Sequence, residues 1–547
     1  MKASPLYLKL LPPRGAAEAA PADGAPPHAP AAPVRPVPRR RRFPWPRPAA
    51  WSRYTLGLVG LLALGLLLRL PVIWAAPLDT PSAPQAAMAA FVRRLALTGG
   101  DLQAARPWIG LLPIDLTAGL PLYGWAAALF SGWWGPQPWI GRGLALLGAL
   151  VATAFLFVVV RRMAGGRAAL YAVLFLTLAP PGLYYGRAYL PDTFGWAAAT
   201  AALAAALRWR DGLLAGRPHA GRWAGVSTAS GALAILIAPA NLALLPPLLY
   251  LAWPRPHLPP PAGPRPDDPA RRPPPATLRT VCGLAGLLIG PWLLWQGLLR
   301  IGGLTSDLDP AFGGGLSAAL GQLGQGAFYG LLAGRLVNGA LTFGGVLLLL
   351  AGLGRPARPP WPWLFHLWAL GGLLVVLGNG ARLAADDSIL AAPFPALAAL
   401  AGLGANWLAT LPVGIAAALR GHEDEIAALD GDLGDGTPGA APDPPIWVDG
   451  RRPARGAVRR AGWPPGGARR PAPAWPQTRA ALLRLGNSGA VLLLLIVFAG
   501  GWDTLTRRYQ VSGLAARYAD AGQRAVSVAG VPAGSRMVVT GPGAAEM

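Results

Sequence analysis

The chain has 547 residues, of which 53% are hydrophobic and only 13% charged, with a mean hydropathy of +0.40. An ordinary soluble domain carries about 25% charge, so this composition excludes a string of soluble domains and identifies a membrane protein. Lys and Arg number 48 against 24 Asp and Glu, for a net charge of +24, and only Lys2 and Lys9 are lysines.

Residues 1 to 54 are rich in Ala and Pro and end in Arg39, Arg40, Arg41, Arg42, Arg47 and Arg53. They read as a disordered cytoplasmic tail. The first apolar run begins at Thr55, too deep and too long for a cleaved signal peptide, and is taken as a membrane anchor. A spanning helix needs about 20 apolar residues to cross a hydrocarbon core about 30 Å thick. Eleven crossings are predicted, at 55–74, 139–160, 168–185, 194–208, 225–238, 240–253, 280–299, 336–354, 361–378, 389–410 and 482–502. The pair around Pro239 is short and could be a hairpin that dips in and returns.

Residues 119–134 are also apolar, but Tyr123, Trp125, Trp133 and Trp134 suit the headgroup level, so they are predicted to form an interfacial helix in the first outer loop. Residues 411–481, with an acidic patch from Glu423 to Asp435 and a Pro/Gly/Arg stretch, read as a disordered cytoplasmic loop. Residues 503–547 read as a short outer tail.

Arginine counting orients the chain. Arg161, Arg162 and Arg167, then Arg208, Arg210, Arg217 and Arg222, then Arg255 to Arg279, then Arg355 and Arg358 crowd the loops on one side. That side is predicted to be cytoplasmic, with the N-terminus cytoplasmic, the C-terminus extracytoplasmic and the chain multi-pass in the inner membrane. The positive-inside rule accounts for these arginines better than nucleic-acid binding does, because they flank apolar spans and do not interleave with exposed aromatics. The acids Asp79, Asp101, Asp115, Asp192, Asp307, Asp309, Asp386 and Asp387 fall on the opposite, outward side.

Those outward acids are the candidates for chemistry. Asp79, five residues past the first crossing, could act as a general base beside the lipid surface or simply solvate its loop. Asp192 could cap the next helix, or join Asp79 in orienting a sugar or holding a divalent cation. Arg187 could meet a lipid phosphate with its guanidinium fork or pair with Asp192. Asp386 and Asp387, with Arg382 just before them, could cap a helix or contribute to the site. Tyr123 and Tyr189 could contact a substrate, though membrane-belt roles suit them too. The lone Cys282 excludes an intramolecular disulfide, and five scattered His residues lack metal-ligand spacing.

Four segments in order resemble the GT-C class of integral-membrane glycosyltransferases, in the branch of protein O-mannosyltransferases and aminoarabinose transferases acting on lipid A. They are APLD at 76–79, LPLYGWAAALF at 120–130, LYYGRAYLPDTFGW at 183–196 and SILAAPFPALAAL at 388–400. The resemblance spans roughly residues 55–410. Thr80 stands where the family has a Glu, and the family's basic residue before its PPLYYW segment is missing. The resemblance implies an all-α GT-C-like fold and inverting transfer of a sugar from a polyprenyl-phosphate donor to an extracytoplasmic glycan, lipid or protein acceptor. It maps the catalytic acids to Asp79 and Asp192 and leaves Arg187 or Arg382 to bind the donor phosphate. No phosphate-binding glycine fingerprint points to a nucleotide sugar. A secondary transporter, a lipid flippase or an inactive member of the class is the alternative; a transporter would more often show ionisable residues at mid-membrane and an internal repeat.

Overall fold

A computed structural model describes residues 52–75, 82–102, 119–215, 217, 219–253, 278–301, 321, 323–379, 383, 388–419 and 475–508. The chain divides into two units, Met1–Ala50 and Trp51–Met547, and all described residues lie in the second. Among them every regular element is helical.

The first span is α1, Arg53–Arg69, extended by a 3₁₀ turn Leu70–Val72; Ser52 caps it by accepting a hydrogen bond from the Thr55 amide at 3.3 Å. α2, Ser82–Leu97, and α3, Leu122–Trp134, follow in the first outer loop. Thirteen residues give α3 a length of about 20 Å, too short for the hydrocarbon core, which agrees with an interfacial position. α2 is absent from the predicted elements. Its signal is nonetheless present, because Met88, Phe91, Val92 and Leu95 recur at helical spacing and are buried. They pack against Tyr123, Ala127 and Ala128 of α3 and against Ile140 and Tyr189, forming a small second core separate from that of the main bundle.

α4, Pro138–Ala164, starts with Pro at its first turn and ends at Gly165, whose φ of 94° is favourable only for glycine. α5, Gly166–Leu178, stops because Pro180 drives Ala179 into an extended conformation (ψ 155°). The six-residue α6, Pro180–Tyr185, and the loop to Pro191 then lead into α7, Asp192–Leu214. α8 is Ala220–Ile237. Pro239 interrupts the helix, and a 3₁₀ segment Pro239–Leu244 continues into α9, Leu245–Ala252.

This pair leaves the arginine-rich end with α8 and comes back to it with α9, as a full-length hairpin and not a shallow dip. The Asn241 amide nitrogen lies where a side chain on Gly195, in the first turn of α7, would clash with it. At the far end of α9, Tyr250 stacks edge-on against Trp361, which lies under Arg210 near the end of α7. The two short elements therefore run the length of α7.

The remaining helices are α10, Leu278–Ile301; α11, Gly326–Gly334, continued by a π-helical segment Arg335–Leu341 into α12, Thr342–Leu353; α13, Leu364–Gly378; α14, Phe394–Leu419; and α15, Trp475–Arg508. Each of the eleven predicted runs is helical. Six helices among the described residues are long and apolar enough to cross a membrane: Arg53–Val72, Pro138–Ala164, Cys282–Ile301, Gly326–Leu353, Phe394–Ala416 and Ala480–Thr504. α14 and α15 run past the predicted ends at 410 and 482, to Leu419 and from Trp475.

Glycine brings the central helices into backbone contact. A Cβ on Gly404 of α14 would overlap the Leu348 carbonyl of α12, and one on Gly352 of α12 would overlap the Leu400 carbonyl of α14. Such reciprocal small-residue crossings replace the hydrophobic driving force that helices lack within lipid. Gly402 approaches Ala172 of α5 in the same way. The chain is thus an integral membrane protein whose described residues form helices alone.

The connections sort into two ends. At one, Arg162 pairs with Asp211 (2.7 Å), the Arg358 amide donates to the Met163 carbonyl (2.8 Å), and Arg210 stacks on Trp361. The arginine-rich turns at 161–167, 208–222 and 355–358 therefore meet at one end of the bundle. Asp192, Tyr123, Tyr189 and Arg187 lie at the other.

Candidate functional site

This second end is built where α1, α5 and α6 turn over and α2 and α3 cover them. Gln85 of α2 is fully buried. Its side-chain amide donates to the Tyr184 hydroxyl (3.0 Å) and its carbonyl oxygen accepts from the Tyr189 backbone amide (2.9 Å), pinning the outer-loop helices to the α6–α7 loop. A buried amide satisfied on both sides specifies that junction strongly, since an unmatched partner would cost about 1–3 kcal/mol.

Three arginines converge beneath it. Arg69, inside the first apolar run, is 4% exposed and donates to the carbonyl oxygens of Gly65 (2.8 Å), Thr177 (3.1 Å) and Gly182 (2.6 Å). No carboxylate among the described residues pairs with it, and its Nε has no acceptor. Gly186 makes room for this guanidinium, because a Cβ there would strike Arg69 Nε. Arg187 is close enough to act on Arg69 electrostatically. Arg142, fully buried on the first turns of α4, donates to the Arg187 carbonyl at 3.1 Å.

Tyr123 and Tyr189 meet edge to face with ring centroids 6.0 Å apart, and Phe194 closes on Tyr123 at 5.6 Å. Gly141 admits the Tyr189 ring, which a Cβ would displace. The Tyr123 hydroxyl is buried with no hydrogen-bond partner among the described residues. Burial first, and the neighbouring Tyr189 next, push its ionisation well above the ordinary tyrosine range, while Arg142 opposes and Asp192 adds to the shift. Burial likewise raises Tyr189. Both hydroxyls are neutral donors at any physiological pH.

Asp192 is the first residue of α7 and puts its charge at the positive end of that helix; no side chain caps the helix by a hydrogen bond. Thr193 instead donates across to the Ala145 carbonyl of α4 at 2.8 Å, with Gly148 leaving the space. The fold therefore brings together Tyr123, Tyr189, Asp192 and Arg187. Asp79, Thr80, Arg382, Asp386 and Asp387 lie outside the described residues.

Sequence reasoning passed over Arg69, Arg142 and Gln85. The signal for the arginines was available: an ionisable residue inside an apolar span is a functional-site hypothesis in itself. Gln85 carries no such signal, because only packing reveals an amide facing two partners. Among the described residues no group of three or more His, Cys, Asp or Glu could hold a metal ion.

Comparison with known proteins gives no matching family model and no matching curated protein. Two solved structures are similar, both of ArnT from Cupriavidus metallidurans. The structure bound to undecaprenyl phosphate is 18% identical with a TM-score of 0.44, over 66% of this chain and 64% of that one. The apo structure is 17% identical with a TM-score of 0.40, over 65% of this chain and 63% of that one. The matched region thus spans just under two thirds of each structure's length.

Proposed function

We propose that the protein is a membrane glycosyltransferase that moves a sugar from a polyprenyl-phosphate donor to an acceptor on the extracytoplasmic face, with inversion at the anomeric carbon. The observation that carries this reading is the clustering of Arg69, Arg142 and Arg187 at the end of the bundle opposite the arginine-rich turns, with Asp192 at the same end. Cations held out of water at the membrane boundary suit an anionic headgroup carried on an apolar tail. The exposed side of α1 and of the turn that follows it, with Leu66, Leu67, Leu70 and Trp74, offers an apolar path for that tail.

In this mechanism Asp79 takes the proton of the acceptor hydroxyl as its oxygen bonds to the anomeric carbon. The bond from that carbon to the donor phosphate breaks, and its electron pair leaves with the polyprenyl phosphate. Arg187 and Arg382 meet the departing charge, as arginine forks suit phosphate oxygens. Tyr123 and Tyr189 contact the sugar, Asp192 orients it, and Asp386 and Asp387 border the site. Should the reaction use a divalent cation, Asp79 and Asp192 are the residues to hold it. The acceptor is a hydroxyl or amine-bearing glycan, lipid or protein, and the arginine-rich end faces the cytoplasm of the inner membrane.

The test is turnover of a labelled polyprenyl-phosphate sugar by the full chain in lipid, wild type against Asp79→Asn. Loss of turnover by a factor of about 10²–10⁴ with donor binding retained is the expected outcome. A wild-type protein that neither binds nor consumes any of a panel of donors would refute the proposal. One observation favours transport or flipping instead: Arg69 is an ionisable group buried within a span. Donor movement across the bilayer without cleavage would select that alternative.

A further inference from the structure

At the opposite end, the α7–α8 corner carries a surplus of positive charge that no acid among the described residues neutralises. Of the four acids among the described residues, Asp101, Asp192, Asp211 and Asp503, only Asp211 belongs to this end. Arg162 takes both of its oxygens, at 2.8 and 2.7 Å. Arg208, Arg217 and Arg222 are exposed and make no ion pair among the described residues. Arg208 lies 4.8 Å over the ring of Trp223. A guanidinium stacked by its face keeps its edge N–H groups directed outward, the arrangement that meets phosphate oxygens.

The surface below these cations is apolar. On α8 Trp223 is 38% exposed, Val226 46% and Leu233 37%, at positions three and ten apart that share one helix face. The stripe starts at the stacked ring and runs from the basic end along the helix. Cations at the top and an apolar track beneath are the complement of a molecule with an anionic head and hydrocarbon chains.

We propose that this corner is a binding site for an anionic diacyl phospholipid. The phosphate diester sits against Arg208 and Arg222, with Arg217 at the rim, and an acyl chain lies along Trp223, Val226 and Leu233. A soluble polyanion would use the cations and leave the stripe bare. The site is independent of the transferase reading, lies at the other end of the bundle, and calls for the lipid composition of an anionic cytoplasmic leaflet.

The test uses the full chain, stripped of lipid and reconstituted in phosphatidylcholine nanodiscs, with labelled phosphatidylglycerol as the probe. Wild type should bind phosphatidylglycerol well above phosphatidylcholine. Affinity should fall about fivefold for each of Arg208→Gln and Arg222→Gln, the weight of one cation near a membrane surface. Trp223→Leu, which keeps the stripe apolar and removes the stacking ring, should also weaken binding, and Arg300→Gln, an exposed arginine at the far end of α10, should leave it unchanged. An Arg208→Gln/Arg222→Gln variant that binds like wild type overturns the site. Displacement by inorganic phosphate at concentrations equal to the lipid's would mean a free-phosphate site. A tenfold gain in lipid affinity on neutralising Glu423, Asp424 and Glu425 would mean that the acidic segment is the corner's true occupant, and either result overturns the proposal.

Discussion

Replacing Arg69 with Met tests how the corner of α1, α5 and α6 is held. The guanidinium donates to three carbonyl oxygens, those of Gly65, Thr177 and Gly182, and takes no carboxylate partner among the described residues. Hydrogen bonds from a charged donor contribute about 1.5–3 kcal/mol each, so three amount to roughly 5–9 kcal/mol before desolvation. Keeping a guanidinium out of water offsets several kcal/mol of that. Met makes none of the three bonds and leaves the Thr177 carbonyl short of a donor, while the Gly182 carbonyl keeps the Gly186 amide at 3.2 Å. The expected net loss is about 2–4 kcal/mol, because unsatisfied buried acceptors cost more than the relief of an uncharged side chain returns. The assay is reversible unfolding of the purified protein in mixed micelles, wild type against Arg69→Met and Arg69→Lys. Lys keeps the charge but cannot span all three carbonyls, so it should fall between. An Arg69→Met protein as stable as wild type would refute the reasoning, since it would mean that desolvation cancels the three bonds and that Arg69 is retained for something other than the corner.

Three further predictions concern other parts of the fold. Tyr123→Phe removes a buried hydroxyl that has no partner among the described residues, so it should stabilise the protein by up to about 1 kcal/mol in the same unfolding assay while lowering donor turnover if that hydroxyl contacts the sugar. The Tyr123 hydroxyl ionises above its unfolded value, so its titration leaves stability untouched below about pH 10 and lowers it as pH rises from there through the raised folded value. Ultraviolet phenolate absorbance should therefore be the same for wild type and Tyr123→Phe up to the onset of alkaline unfolding. Gly404→Val should drive α12 from α14 at the Leu348 carbonyl and cost about 3 kcal/mol, read as a lower thermal midpoint and a smaller folded yield. Asp211→Asn should change stability by less than about 1 kcal/mol, since the Arg162–Asp211 side chains are 48% and 35% exposed and water screens the pair.

The membrane class, the helical content and the positions of the eleven long apolar runs are legible in the sequence, because spanning a bilayer is a one-dimensional demand on apolar length. Pro180 and Pro239 mark their breaks for an equally local reason, a ring that cannot continue a helix. The arginine-rich turns could be counted before it was visible that Arg162, Arg210 and Arg358 gather at one end. α2 went unpredicted although its periodicity was present, because its apolar face is narrow and alanines fill the rest. Within the candidate site, Asp192, Arg187, Tyr123 and Tyr189 could be named from loop position alone. Their meeting could not: Gln85 reaches Tyr184 across 99 residues and Tyr189 across 104, and Arg69 reaches Gly182 across 113. The sequence by itself determined that this chain lives in a membrane and which stretches cross or line it, since those follow from hydropathy and length. Only the tertiary structure decided which polar groups share a desolvated corner, because hydrogen bonds between distant segments exist only once helix packing, opened here by Gly186, Gly141 and Gly148, brings their backbones within reach.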